Sequence, residues 1–375
     1  MTHNNGRSIQ IIVVFLCTLF VSGVNAQIDT SYAFIVAGHA YGAHDGVNIG
    51  LHPPLLNSLD SGYDPNAAFI VLTGDIVNKS TSESWQQVEN ELNHYALPTY
   101  YVMGNHDDNA IGYQVFSDKF GGAYYSFYVQ SELYVVLNST EKQRSISANQ
   151  LEFLQEQLDL AGESVRNVFI FFHEILWNSH EKYVGVKSNS RSRYHKIVNY
   201  SNYWEGVHPI LLEQPDRNFF VIAGDVAGNA DAIAAFYDTW DHITFVASGM
   251  GEVEDENYLL VQVHDVNDIE FGLVPLDLNT ELPGLEYYSV PPAPETIVGP
   301  NDVLPGSRAI KYFVPEVFNA STYTWELPGG VSGISDSNQI ECDFAAEFRE
   351  GTISVRAYRE GFGSGPASSL LLKSR

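Results

Sequence analysis

Apolar residues gather in short uninterrupted runs along this chain, and each run stops at a glycine or a polar residue. Tyr32–Ala37, Ala67–Leu72 and Thr99–Met103 are of this kind. They show no apolar–polar alternation, so each reads as a strand buried on both faces. Between the second and third runs the period changes. Trp85, Val88, Leu92 and Tyr95 recur at three- and four-residue spacing, which predicts a helix over Ser82–Tyr95 with one buried face. Strand, helix and strand in this order predict a layered α/β domain. Tyr124–Val129 and Leu133–Leu137 read as a hairpin. Ser147 and Gln150 have the spacing of a capping box and predict a helix through Leu160. Asn167–Phe172 and Phe219–Ala223 are further strands. Tyr258–Val263 and Ile269–Val274 form a second hairpin around Asp265-Val266-Asn267.

Two segments break this pattern. Arg7 followed by the mostly apolar run Ile9–Val24 and the small-residue stretch Val24-Asn25-Ala26 reads as an export signal over residues 1–26. The run is short for a membrane span, and no later stretch is long enough for one. Val290–Pro300 holds four prolines and no periodicity, so it reads as a linker. The expected organisation is a signal at 1–26, an α/β domain at 27–289, the linker at 290–300 and a small all-β sandwich at 301–375. In that last part Ile353–Tyr358 and Ser368–Leu372 are strand signals separated by a glycine-rich turn. Trp325 is expected in its core.

Composition narrows the partners. The formal net charge of −27 makes nucleic acid a poor fit, because a polyanion is repelled by most of such a surface. Cys17 falls within the signal and leaves Cys342 as the single cysteine after it, so no internal disulfide is expected. Stability must come from burial and bound metal. With an export signal, the expected location is secreted, periplasmic or cell-surface, with no integral membrane span after cleavage.

Several predicted strands end in an acid, an amide or an imidazole: Gly38-His39, Gly74-Asp75, Gly104-Asn105-His106-Asp107, His173-Glu174 and Gly224-Asp225. Ligands of open α/β sheets gather at the carboxyl ends of strands. Distant segments would thus bring Asp, Asn and His to one point, an oxygen and nitrogen donor set suited to Mn, Fe or Zn. Singly, each residue is an ordinary turn former; their recurrence at five strand ends is the signal.

Gly74-Asp75, then Gly104-Asn105-His106-Asp107 about thirty residues on, then His173, resembles the calcineurin-like metallophosphoesterases over roughly Ser31–Leu278. The fold implied is a layered β-sandwich flanked by helices. The resemblance implies that Asp75 bridges two metals and that Asn105 and His173 bind the second. It implies that His106 contacts the phosphoryl group and assists the leaving oxygen, and that Asp107 orients that imidazole. Ser248-Gly249-Met250-Gly251 is also similar to the family. Ala320–Gly330 resembles a strand and turn of PKD-like, immunoglobulin-like modules.

The sequence departs from the family at two motifs. His39-Ala40-Tyr41-Gly42 stands where Asp-x-His is usual, and Gly224-Asp225-Val226-Ala227 where Gly-His-x-His is usual. This reads as a swap of imidazole and carboxylate that keeps four ligands for one metal: Asp75, Asn105, His173 and Asp225. Ala227 cannot ligate, and Tyr41, His44 and Asp45 are the remaining candidates beside His39 for the other, so one or two ions are open. The Glu252–Asn257 acidic run reads as a solvated turn. Lys182, Lys187, Arg191, Arg193 and Lys196 form a basic island in an acidic chain, and Arg191 and Arg193 are candidates for holding an anionic substrate. The function expected is hydrolysis of a phosphomonoester or phosphodiester, small or polymeric, by a metal-activated water. Tyr41 and Ala227 leave open a weak or inactive relative that binds carbohydrate or an anionic ligand at the cell surface, or a different hydrolytic substrate class.

Overall fold

The computed structural model describes residues 31–44, 48–141, 144–190, 201–265 and 268–375. Two sheets pack face to face in its first part. One has β1 (Tyr32–Ala37), β2 (Ala67–Thr73) and β3 (Thr99–Val102) in parallel, extended antiparallel at the β1 edge by β10 (Asn257–Asp265) and β11 (Asp268–Pro275). The other runs in the order β4 (Tyr125–Val129), β5 (Glu132–Val136), β6 (Asn167–Phe171), β7 (Asn218–Ala223), β9 (Ile243–Ser248) and β8 (Ala235–Trp240). In it β5, β6, β7 and β9 are parallel.

The unbroken apolar runs follow from burial on both faces. In β1, Tyr32, Phe34 and Val36 point between the sheets, where they meet Phe69, Tyr134, Phe169 and Ile222. Ile35 and Ala37 point the other way, under α1 (Pro53–Asp60), α2 (Ser82–Leu92) and α3 (Ala110–Phe120). The second sheet's outer face is covered by α4 (Ala148–Leu160) and α5 (His208–Leu212). The result is a four-layer helix–sheet–sheet–helix domain. All the parallel strands point their carboxyl ends to one edge.

Local chemistry departs from the sequence reading at the helix ends. Thr81 caps α2 by accepting from the Ser84 amide, and the helix stops at Leu92, before the buried Tyr95. The capping box at Ser147 does not form. The Gln150 side chain instead accepts from the Asn138 amide at 2.7 Å and donates to the Asn138 carbonyl at 2.9 Å, tying α4 to the end of β5.

From Asp302 onward two small sheets enclose a separate core. One has β12 (Asp302–Val303), β18 (Gly363–Ser374), β17 (Glu350–Arg359) and β14 (Thr322–Glu326). The other has β13 (Ile310–Phe313), β16 (Gln339–Phe344) and β15 (Val331–Ser332). Tyr312, Cys342, Ile353, Val355 and Leu372 fill the centre. Trp325 is a correction: it is half-buried at the margin, with its indole N–H donated to the Ser337 carbonyl. Residues 290–300 hold a single bridge, Val298 to Phe313, and Ile297 packs into the second core. Among the described residues no helix is long and apolar enough to cross a membrane.

Candidate functional site

The strand ends of both sheets meet where Gly38 and Gly224 touch. A Cβ on Gly38 would lie 2.6 Å from the Gly224 Cα, so only hydrogen at both positions lets β1 and β7 approach so closely. The residues next to these close approaches are turned sharply. His39, Asp75 and Ala227 have φ values of 53°, 51° and 62°, a left-handed conformation costly for side chains of this kind. Strain at three strand ends around one point marks a place the fold holds against local preference.

Asp75 is the hub. Its Oδ1 accepts the His106 amide at 2.9 Å, which leaves Oδ2 for two imidazoles. His173 Nε2 lies 3.3 Å from that oxygen and His39 Nε2 lies 3.6 Å from it. His173 Nε2 is also 3.8 Å from Asp225 Oδ1. All four side chains are buried. The other nitrogen of each imidazole faces a carbonyl: His173 Nδ1 meets Thr73 O at 2.9 Å, and His39 Nδ1 meets Met250 O at 3.0 Å. A carbonyl only accepts, so both Nδ1 atoms carry hydrogen. In a neutral ring, Nε2 is then a lone pair, and both lone pairs are aimed at a carboxylate.

That arrangement is repulsive unless a proton or a cation lies between. Burial lowers the His173 pKa, but Asp75, Asp225 and Glu174 overcome this and raise it well above the ordinary value. Burial likewise pushes Asp75 up, and the three imidazoles of His173, His39 and His106 more than reverse it, holding it below the usual carboxylate range. His39 behaves differently: burial brings it down to about 4, so its ring is neutral. Burial raises Asp225. His173 Nε2 has no hydrogen-bond partner of acceptable geometry despite complete burial.

Among the described residues no group of three or more His, Cys, Asp or Glu side chains is arranged as it stands to hold a metal ion. They are drawn into direct pairs around Asp75 Oδ2. The fixed tautomers are those in which an imidazole can present Nε2 to a cation while Nδ1–H is held by a carbonyl. Asn105 stands exposed on the turn after β3 and is not among the buried residues of this group.

His106 is half-buried beside the hub. Its Nδ1–H donates to the Asn78 carbonyl at 2.8 Å, and Tyr41 and His44 flank the ring at 4.9 and 5.9 Å. Asp107 therefore does not orient this imidazole. Its carboxylate is turned inward and accepts the amides of Gly104 at 2.9 Å, Ile76 at 3.0 Å and Val77 at 3.2 Å, binding the loop after β3 to the loop after β2. Burial and the Asp75 charge push it up to about 7 against those donors.

Tyr41 is buried, with its ring 4.4 Å from that of His39 and its hydroxyl 3.5 Å from His106 Nε2. Ala227 is wholly buried and offers no donor. His44 does fold back, but onto His106; Asp45 lies outside the described residues. Glu174, raised by burial to about 7, accepts the Ser139 hydroxyl. Two contacts had no signal in the sequence. The Asn189 amide donates to the Asp225 carbonyl at 3.0 Å, and the Ser190 amide donates to Asp225 Oδ2 at 3.3 Å.

The described part of the basic island turns away from this cluster. Lys182 pairs with Asp238 at 2.6 Å and Lys187 with Glu360 at 2.9 Å. Arg191, Arg193 and Lys196 lie outside the described residues. In the acidic run, Glu256 accepts the Gly251 amide at 2.6 Å and faces His52 Nε2 at 3.1 Å, and Asp255 accepts the Tyr288 hydroxyl. It is a knitted turn with structural bonds.

Residues 44–198 match the calcineurin-like phosphoesterase model, and residues 290–371 match the PKD-like domain model. Asp75, Asn105, His106, Asp107 and His173 fall inside the first match; His39, Tyr41, Asp225 and Ala227 fall outside it. The human serine/threonine-protein phosphatase CPPED1 is 29% identical over 127 residues, which is 29% of this chain and 40% of that protein. The mouse protein of the same name is 26% identical over 172 residues, 41% of this chain and 55% of the relative. The chain thus spans about half the length of the curated relatives it matches. A dimetal phosphatase from Danio rerio aligns at 13% identity with a TM-score of 0.44, over 65% of this chain and 96% of that one. A purple acid phosphatase from yellow lupin aligns at 12% with a TM-score of 0.49, over 67% and 52%. Residues 44–198, which hold the strand-end Gly74-Asp75 and Gly104-Asn105-His106-Asp107, are thus similar to the calcineurin-like phosphoesterases, and residues 290–371 to a PKD-like domain.

Proposed function

We propose that this chain is a phosphoesterase acting on a phosphomonoester or phosphodiester with one divalent cation, Mn, Fe or Zn. Asp75, His173, Asp225 and His39 would hold the cation, with Asn105 as a further candidate. The carrying observation is the pair of buried imidazoles, His173 and His39, whose Nδ1–H groups are committed to carbonyls while both Nε2 atoms face Asp75 Oδ2. When bound, such a cation polarises a phosphoryl oxygen and lowers the pKa of the attacking water.

The remaining roles belong to the chain's own groups. His106 is half-buried, with Nδ1 held by the Asn78 carbonyl and Nε2 beside the Tyr41 hydroxyl, and is the candidate to meet a phosphoester. Its role would be general acid toward the leaving oxygen. The Tyr41 hydroxyl beside Nε2 is placed to hold the same oxygen. A single ion is favoured because the Tyr41 ring packs against both His39 and His106 and the Ala227 side chain has no ligating atom. The relatives named as serine/threonine-protein phosphatases support a phosphate ester as substrate. The export signal read at 1–26, outside the described residues, supports action beyond the cytoplasm.

The test is a panel of phosphomonoesters and phosphodiesters with Mn, Fe and Zn, run on the wild type and His106→Ala. Loss of general-acid help costs about 10²–10⁴-fold in kcat. Equal activity in the two proteins would show that the turnover is not catalysis at this site, and would favour a binding function for the cleft.

A further inference from the structure

The turn joining β17 and β18 lies against the first domain. Phe362, at its tip, is 6% exposed and belongs to the core under the second sheet, stacked on Phe236 of β8 at 6.5 Å and 14°. Behind it the Arg359 guanidinium lies 3.8 Å from the Phe362 ring centre and donates to the carbonyls of Tyr287 and Ser289. A cation over an aromatic face, itself bonded to the chain entering the second domain, locks the turn in place.

The contact then passes into backbone. The Lys187 amide donates to the Gly361 carbonyl at 3.0 Å, and the Ser364 amide donates to the Lys182 carbonyl at 3.0 Å. A Cβ on Gly185 would lie 2.6 Å from the Gly363 Cα, so the two chains pack main chain on main chain. The Lys187 carbonyl in turn accepts the Ile233 amide at 2.9 Å, and the Ile233 carbonyl accepts the Ala227 amide at 2.9 Å. Two residues beyond Lys187, the Asn189 side chain accepts the Gly228 amide at 2.7 Å and donates to the Val226 carbonyl at 3.1 Å. The Asn189 and Ser190 amides close the chain of contacts on Asp225.

We propose that the Arg359–Gly363 turn of the PKD-like domain is a brace for residues 182–190, with Phe362 as a positioning residue that keeps Asn189 and Ser190 on Asp225. The second domain is then part of the support of the site and is more than a spacer. The effect on cation binding rests on the function proposed above; the mechanical link does not.

The test uses the full chain as wild type, Phe362→Ala and Phe362→Leu. Amide hydrogen exchange is read in the peptide spanning 182–190, with β2 as reference, and Mn²⁺ is titrated into the same proteins. Phe362→Ala should speed exchange across 182–190 at least tenfold over β2 and weaken Mn²⁺ binding about tenfold. Phe362→Leu, which refills the pocket with an apolar group, should recover most of both. If Phe362→Ala does not fold, Gly185→Ala pries the same contact from the other side and is read in the same way. Faster exchange at 359–363 with 182–190 unchanged would overturn the brace. Failure of the wild type to bind Mn²⁺ would instead count against the cation reading, with the exchange result still deciding the brace.

Discussion

Asp107 shows how an acid in a signature motif can serve structure. Its carboxylate takes amides from two different strand-end loops. An amide side chain in its place would turn an NH₂ group toward one of those N–H donors. Asp107→Asn should therefore lose about 1–3 kcal/mol of stability, as for a buried donor left unsatisfied. Urea unfolding measures this, and a variant as stable as the wild type would show that the three contacts are weak. The imidazole of His173 makes a second case. Its folded pKa is raised, so its pairing with Asp75 and Asp225 stabilises the cation-free protein below the unfolded value of about 6.5 and is lost as pH rises through the folded value. Asp75 is depressed, so its share is present above about 3.9 and lost as pH falls through its folded value. A cation and the His173 proton compete for one lone pair. Cation binding should release about one proton and tighten as pH rises. Calorimetry in buffers of different ionisation enthalpy reads the proton directly, and an affinity flat with pH would contradict the competition.

At the level of strands and loops, the site depends on how closely two sheets meet at their carboxyl ends. Gly38→Ala would drive a methyl toward the Gly224 backbone, an overpacking worth about 1–3 kcal/mol, and would separate His39 from Asp225. A lowered Tm together with weaker Mn²⁺ binding is the expected outcome; a lowered Tm with unchanged binding would mean that the approach serves packing alone. The parallel strands other than β9 were legible in the sequence because both faces are buried, which removes polar interruptions. The ligand candidates were legible because each follows such a strand. The helices α1 and α3 and the strands β8 and β9 were not read. In α3, for example, only Gly112 and Phe116 are buried, so there is little apolar stripe to detect. The Asn78 carbonyl, which displaces Asp107 as the support of His106, had no signal at all, because any residue supplies a carbonyl. The capping box at Ser147 failed for a similar reason: Gln150 found stronger tertiary partners at Asn138.

For the whole molecule, the two domains meet through main-chain contacts that sequence spacing does not encode. The basic island illustrates the cost of reading charge alone. Lys182 and Lys187 are spent on Asp238 of the first domain and Glu360 of the second. Yet the same segment carries Asn189 and Ser190 to Asp225, so its place near the site follows from its backbone. A cation bound only by the native protein should stabilise it by about 2.7 kcal/mol at a concentration of 100 times Kd. The most direct test of the site is Mn²⁺ titration of the chelator-treated full chain, with Asp75→Asn and His173→Ala alongside. One ion per chain, lost in both variants, is the predicted result. No binding, two ions, or binding unchanged in Asp75→Asn would contradict it.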